Sequence, residues 1–219
     1  MKPVVKNLPP EYYDFESYVT RARWLTYYRQ LVTILPTRPE RVLEVGVGPG
    51  IVRAVLRDRG VNVETVDVNE SLGPDHVADL RDLPSGIRAA EWDWILCSRV
   101  LHHIPRAEVP SVLEQLGKLQ AKQLLITVPR EDLSVQFTVR RTAGRVHPGR
   151  LSLSSSFKRA LRRQGIIRSE PSGVWMLDGE DGIESNDFRS YLSKHFHICD
   201  QYVLPDDPSH VFFVLSRKP

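Results

Sequence analysis

The stretch that decides the fold is RVLEVGVGPGIVRAVL, from Arg41 to Leu56. Its first five residues are β-branched and apolar enough for a short strand, three glycines follow within five positions, and the remainder has helical spacing with Pro49 at its start. A second strand pattern, VNVETVDV at 61–68, comes shortly after the helix. Strand, helix and strand with short connections make a βαβ unit, which predicts a parallel sheet with a right-handed crossover.

Strand and helix patterns continue to alternate after this unit. The later predicted elements are strand 91–98, helix 107–120, strand 122–129, helix 186–196 and strands 197–204 and 210–217. Runs that are apolar on both faces are typical of a sheet covered by helices on both sides. The short turn PDDPS between the last two strands permits only antiparallel pairing. We therefore predict an α/β fold with a doubly wound, mostly parallel sheet whose last strand is reversed.

Two segments lie outside this alternation. Residues 1–38 carry aromatic and aliphatic residues at helical spacing and are predicted to form a helical N-terminal lid, which leaves 39–219 as the main domain. A segment at about 130–175 is rich in Ser, Gly, Arg and Pro, with one helical pattern at 155–165, and is interpreted as an insertion or cap. Between residues 130 and 169 it holds ten basic and two acidic residues.

The composition and the hydropathy pattern limit the cellular compartments in which the protein is expected. The chain has 219 residues, a net charge of +3 and two cysteines, Cys97 and Cys199, with no spacing that suits zinc. We expect a reducing compartment. The N-terminus shows no signal-peptide pattern and no run is long and apolar enough for a membrane span, so a soluble, cytoplasmic protein is expected.

The glycine loop excludes a phosphate-binding P-loop, because no lysine followed by Ser or Thr is present. It also departs from the dinucleotide pattern, since Ile51 stands where the third glycine would fall and Pro49 lacks an N–H for a pyrophosphate. The loop, with Gly46, Gly48 and Gly50, is better suited to a ligand that packs closely and carries no phosphate.

Three acids indicate what that ligand is. Glu44 lies inside the first strand, where a carboxylate would repel a phosphate but attract a cation. Asp67, 23 positions later, ends the second strand, where an acid can accept both hydroxyls of a ribose. Asp79 and Leu80 follow a third strand, where the acid can accept the amine of an adenine and a backbone N–H can reach the ring. A cationic amino-acid end, a ribose and an adenine describe S-adenosylmethionine (SAM).

With these motifs the chain resembles the class I SAM-dependent methyltransferases, which have a Rossmann-like fold. The resemblance covers nearly the whole chain: LEVGVGPG, VDV, ADLRDLP and EWDWILCSRVLHHIP follow the family's order of motifs. YYDFESYVTRARWLTYYRQ, with the region 175–210, is similar to a bacterial and archaeal subgroup of unassigned substrate. The resemblance implies a seven-stranded sheet, SAM as cofactor and S-adenosylhomocysteine (SAH) as product. The implied cofactor-binding residues are Glu44, Gly46, Val47, Gly48, Gly50, Asp67, Val68, Asp79, Leu80, Cys97, Ser98 and Arg99.

His102 and His103 follow the fourth strand, where ligands bind in such sheets. A histidine there can remove the proton of a hydroxyl or nitrogen acceptor, or it can be a structural side chain beside the cofactor. If one of the two is a base, the resemblance favours His103. The predicted reaction is methyl transfer to an oxygen or nitrogen of a small molecule.

Several alternatives remain open at this stage. The basic segment suits RNA, a phosphorylated sugar or an acidic peptide as acceptor, or it is a solvated surface. Tyr12, Tyr13, Tyr18 and Trp24 form either a lid over the site or the apolar face of a docking helix. A nicotinamide-dependent oxidoreductase shares the fold and the ribose acid, and a binding module would keep the pocket without turnover. The acidic loop DGEDGIES is interpreted as solvated, so no metal is expected.

Overall fold

The computed structural model describes residues 9–131, 134–140, 146–152, 164, 174–179, 181–205 and 207–218. The strands are β1 Arg41–Val45, β2 Asn62–Asp67, β3 His76–Val77, β4 Glu91–Ser98, β5 Gln120–Pro129, β6 Ser134–Arg140, β7 Val146–Ser152, β8 Phe196–Leu204 and β9 Asp207–Arg217. The helices are α1 Phe15–Tyr18, α2 Arg21–Ile34, α3 Ile51–Asp58, α4 Ser85–Ala89, α5 Val109–Lys118 and α6 Ser185–His195.

The main sheet has seven strands in the order β3-β2-β1-β4-β5-β9-β8. β1 to β5 pair in parallel, and β9 lies between β5 and β8 and is antiparallel to both. The predicted fold class is confirmed, including the reversed last strand. The order reverses direction between β1 and β4, which is where doubly wound sheets open a crevice for ligands.

Two apolar clusters cover the two faces of the sheet because its central strands alternate between them. Leu43, Ile95 and Ile126 face α5 and α6, whereas Val42, Trp94 and Leu125 face α2 and α3. Every one of these six side chains is at most 2% exposed. Burial at this level fixes the register, since a slip of one residue would exchange the two faces.

Helix α2 does not bury the aromatic residues of its helical pattern. Trp24 and Tyr28 belong to that pattern, but both are about half exposed. The buried residues of α2 are Thr26, Gln30 and Ile34. Both Thr26 and Gln30 hydrogen-bond to the sheet, and these bonds offset the cost of burying their polar groups.

The segment at about 130–175 contains a hairpin that the sequence pattern did not predict. β6 and β7 pair antiparallel, from Ser134 with Ser152 to Arg140 with Val146, as a separate two-stranded sheet. The helix predicted at 155–165 and most of the basic residues fall outside the described residues. In the part of the chain that the structure describes, no helix is long and apolar enough to cross a membrane.

Candidate active site

A cavity of about 460 Å³ opens at the carboxyl ends of β1, β2, β3 and β4. Its walls are the glycine loop after β1, the loops after β2 and β3, the segment after β4, and residues of the N-terminal helices. All predicted cofactor residues line it except Gly50 and Cys97. The sheet therefore brings residues from four separate strand ends to one place.

The glycine loop passes so close to the next loop that no larger residue fits at its first position. Gly46 has a φ of +82°, and a Cβ there would lie 2.4 Å from Cγ2 of Val100. Gly50 has a φ of +71° and is the N-cap of α3, so its role is to turn the chain into the helix. It makes the loop possible without lining the cavity.

Glu44 is a buried carboxylate at the cavity wall, 4% exposed. Its pKa is raised to about 8, chiefly by desolvation, although Arg53 and Arg57 oppose the rise. Among the described residues, Oε2 of Glu44 has no hydrogen-bond partner. A buried carboxylate oxygen without a partner is costly unless a ligand supplies one, so this position fits the ammonium group of SAM.

The Asp67 carboxylate accepts hydrogen bonds from two backbone N–H groups of the cavity wall. Its Oδ2 accepts from the N–H of Val47 at 2.8 Å, and its Oδ1 accepts from the N–H of Asn69 at 2.9 Å. Each carboxylate oxygen can accept a second hydrogen bond. The geometry thus orients Asp67 as an acceptor for two adjacent hydroxyls, which fits a ribose.

Asp79 has a partner that sequence reasoning missed. Arg81 donates to both of its carboxylate oxygens and also to Glu108 at 2.9 Å. This pairing raises the pKa of the Arg81 guanidinium and holds the Asp79 carboxylate at the cavity wall, where the sequence predicts the adenine. Leu80, next to it, is 4% exposed and supplies apolar surface.

At the end of β4, one predicted residue lies in the core and the next two line the cavity. Cys97 is fully buried in the apolar cluster beneath the cavity, and burial raises the pKa of its thiol to about 12. It does not line the cavity, although the resemblance implied that it binds the cofactor. Ser98 and Arg99 do line the cavity, and Arg99 has a left-handed backbone with a φ of +60°.

Both candidate histidines line the cavity, in different environments. His102 is 3% exposed, and desolvation lowers its pKa well below the ordinary value, so it is neutral at physiological pH. Its Nδ1 has no hydrogen-bond partner among the described residues. His103 is exposed, and the two rings lie 4.1 Å apart between centroids.

The N-terminal helices supply a wall of the cavity that the sequence located only in part. Tyr12, Tyr13 and Tyr18 line it, as the lid interpretation requires, whereas Trp24 points away and packs against Phe15. The residues missed by sequence reasoning are Arg23, Tyr27 and Gln30. Their spacing of four and three along α2 was the available signal, since it places them on one helix face.

The acidic loop has a structural role at one of its positions. Asp178 accepts from the N–H and the hydroxyl of Ser185 at 2.9 and 2.6 Å, which holds the start of α6. In the described part of the chain no group of three or more His, Cys, Asp or Glu is arranged to hold a metal ion.

Comparison with known proteins decides the family. The model of the family described as "Methyltransferase domain" matches residues 18–166, which is more than half of the chain. The chain belongs to this methyltransferase family. The methyltransferase is similar to the ubiquinone biosynthesis O-methyltransferase of Pseudomonas aeruginosa, at 28% identity over 74% of this chain and 73% of the relative.

Solved structures agree with the family at the level of the fold. The methyltransferase is similar to magnesium protoporphyrin IX methyltransferase from Synechocystis, with SAH bound (TM-score 0.61, 14% identity, 90% of this chain and 84% of that one). It is also similar to 1,6-didemethyltoxoflavin N1-methyltransferase from Burkholderia thailandensis (TM-score 0.57, 16% identity, 95% and 84%). The chain is thus a class I SAM-dependent methyltransferase, as the sequence predicted.

Proposed function

We propose that the methyltransferase transfers the methyl group of SAM to an oxygen of a small molecule bound in the cavity beneath α1 and α2. The observation that carries this proposal is that Glu44 and Asp67 line the same cavity as the two histidines and the tyrosines of the N-terminal helices. A volume of about 460 Å³ is in the range of small-molecule sites.

The binding roles follow from the contacts. Glu44, Gly46, Val47 and Gly48 would hold the amino-acid end of SAM, Asp67 and Val68 the ribose, and Asp79 and Leu80 the adenine. Ser98 and Arg99 would lie on the acceptor side. The N-terminal helices, residues 9–37 of the described chain, act as a lid in this proposal, since their tyrosines exclude water from the reacting groups.

SAM supplies a methyl group on a sulfonium, so the new C–O bond forms as the C–S bond breaks and the sulfur leaves as a neutral thioether. The chain's own contribution is to align the acceptor and to take its proton. The neutral imidazole of His102 is in the protonation state that a base requires. His103, the base favoured from the sequence, reaches the same cavity from its exposed position.

The acceptor in this proposal is a hydroxyl compound. The similar Pseudomonas enzyme is named as an O-methyltransferase, and a hydroxyl is an acceptor that must lose a proton during transfer. The two histidines can take that proton, and the name of the Pseudomonas relative favours an oxygen over the nitrogen acceptor named for the Burkholderia enzyme.

The experiment is to incubate the protein with methyl-labelled SAM and three separate pools: phenolic and hydroxy-acid small molecules, purified transfer and ribosomal RNA, and peptides. We expect label in the small-molecule pool. His102→Gln and His103→Gln, compared across pH, would show which histidine takes the proton, with a loss of about 10²–10⁴-fold for a base.

Asp67→Ala serves as the inactive control, and Asp58→Ala is its match, because Asp58 is an exposed acid away from the cavity. Label found in RNA or peptide alone would contradict the proposal and favour the basic segment as the acceptor site.

A further inference from the structure

Besides Arg81, which is paired with Asp79 and Glu108, the cavity is lined by two arginines, Arg23 and Arg99. From these two groups we infer that the acceptor of the methyltransferase carries an anionic group, a carboxylate or a phosphate, next to a planar ring. This inference rests on the proposed function and names the substrate class of the same site. Four features of the structure support it.

The first feature is that both guanidinium groups are held in place with donors left over. Arg23 Nη1 donates to the carbonyl of Tyr18 at 2.6 Å, and its Cζ lies 3.9 Å from the centroid of the Tyr18 ring. Arg99 Nε donates to Nε2 of His210 at 2.8 Å. Among the described residues, Nη1 of Arg99 and both Nε and Nη2 of Arg23 have no hydrogen-bond partner, and these are donors for a ligand.

The second feature is the repulsion between the two guanidinium groups. The Asp207 carboxylate offsets part of the positive charge at Arg99, but it is 4% exposed and does not line the cavity. It is separated from Arg99 by His210, whose Nδ1 lies 3.4 Å from Oδ2 of Asp207. Arg23 and Arg99 thus line the cavity, whereas the Asp207 carboxylate lies behind an imidazole. Arg23 and Arg99 repel each other, and an anion between them would relieve that repulsion.

The third feature is that Asp207 already has its own partners. Ser209 donates to its Oδ1 at 2.5 Å, and Thr26 donates to its Oδ2 at 3.3 Å. The pKa of Asp207 is held far below its usual range by hydrogen bonds from His210 and Ser209 and by nearby positive charge, which outweigh its desolvation. Asp207 is therefore a fixed support behind His210 and is not available to close over the cavity.

The fourth feature is the position of Arg99 relative to the predicted cofactor residues and the aromatic rings that line the cavity. The cofactor residues lie on and after β1, β2 and β3, whereas Arg99 reaches the opposite way, to His210 on β9. The aromatic rings of Tyr13, Tyr18 and Tyr27 line the same cavity. Desolvation raises the pKa of all three hydroxyls, so they stay protonated and can donate. Cations and aromatic rings together suit a planar anion.

The test measures binding directly, by calorimetry on the SAH-loaded protein, and does not depend on turnover. The probes are 4-hydroxybenzoate and phenyl phosphate as anions, and 4-hydroxybenzamide as the neutral counterpart of the first. We expect at least one anion to bind about tenfold or more tightly than the amide, as charge-assisted bonds would give. Equal binding of acid and amide, or no binding of either anion, would overturn the inference.

The methionine end of SAM also carries a carboxylate, which Arg99 could bind instead of the acceptor. A variant at Arg99 distinguishes the two cases. Arg99→Met should weaken anion binding by about tenfold or more while SAH affinity changes less than about twofold. If SAH affinity falls by the same factor as anion binding, Arg99 holds the cofactor and the inference is wrong.

Arg23→Gln gives a second test that does not disturb His210 and Asp207, in case Arg99→Met fails to fold. Its match is Arg29→Gln, because Arg29 is an exposed arginine on the same helix, outside this cavity. We expect weaker anion binding in Arg23→Gln and unchanged anion binding in Arg29→Gln. Transfer to RNA alone, with the anions still bound by the wild type, would contradict the proposed function and leave the anion site standing.

Discussion

At the scale of single residues, the site depends on Glu44 more than its place in a strand suggests. Its carboxylate is 4% exposed, and one of its oxygens has no hydrogen-bond partner among the described residues. Burying such a group costs free energy, which the rest of the fold must offset. Its raised pKa, about 8, is the signature of that cost. A ligand with a positive charge at this position would favour the ionised form.

The raised pKa of Glu44 predicts that ligand binding releases protons. At pH 7 the Glu44 carboxyl is largely protonated without ligand, since its pKa is about 8. An ammonium beside it lowers that pKa, so binding of SAH should release up to about one proton. Calorimetry in buffers of different ionisation enthalpy measures the release.

Glu44→Gln should abolish the proton release and weaken binding of SAH. Gln keeps the shape and the burial of Glu44 but cannot ionise. Proton release that persists in Glu44→Gln would show that another group pairs with the ammonium.

At the scale of elements, α2 is attached to the sheet by polar bonds as well as by packing. Gln30 Nε2 donates to Oγ of Ser98 at 2.6 Å, and the same oxygen lies 2.8 Å from Oγ1 of Thr127. Thr26 donates to Asp207 near the start of β9. These bonds join the helix that carries Arg23 and Tyr27 to β4, which Arg99 follows, and to β9, which carries His210.

Gln30→Met should therefore loosen α2 selectively. The side chain fills the same space without the hydrogen bond, at an expected loss of about 0.5–1.5 kcal/mol in the free energy of unfolding. Hydrogen exchange of the α2 amides should speed up while that of β1 and β4 changes little.

The matched control is Thr33→Val on the same helix, because the Thr33 hydroxyl bonds within α2 to the carbonyl of Arg29. Equal effects of the two variants on exchange would mean that packing alone holds the helix.

At the scale of the whole molecule, stability depends on pH through groups buried around the cavity. His102 has a folded-state pKa well below its unfolded value of 6.5, so below about pH 6.5 the unfolded chain binds the extra proton. This contribution is fully present above pH 6.5 and is lost as the pH falls. Glu44 acts with the opposite sign between about pH 4.5 and 8, because its folded-state pKa is raised.

His102→Gln should flatten the acid side of the stability curve. The slope of unfolding free energy between pH 6.5 and 5.5 should fall by up to about 1.4 kcal/mol per pH unit, the value for one proton. Urea unfolding at several pH values measures it, and the contribution of Glu44 cancels in the comparison. His103→Gln, at the exposed neighbour, is the control, and an equal flattening there would place the effect elsewhere.

The sequence by itself determined the sheet, its reversed last strand and the loop that faces the cofactor. These depend on local patterns: strand and helix periods, a turn too short for parallel pairing, and glycines where the backbone turns left-handed. The acids Glu44 and Asp67 were found because they stand at fixed distances from that loop along βαβ units, whose geometry the chain sets locally.

Tertiary structure alone decided what the rest of the cavity is made of. Arg99 and His210 are 111 positions apart and meet because β9 inserts between β5 and β8. Thr26 and Gln30 are buried, against the apolar pattern of α2, because the sheet offers them partners. Cys97 lies in the core although Ser98, which follows it, lines the cavity, because side chains alternate along a strand. Such contacts depend on the topology as a whole, which no local pattern contains.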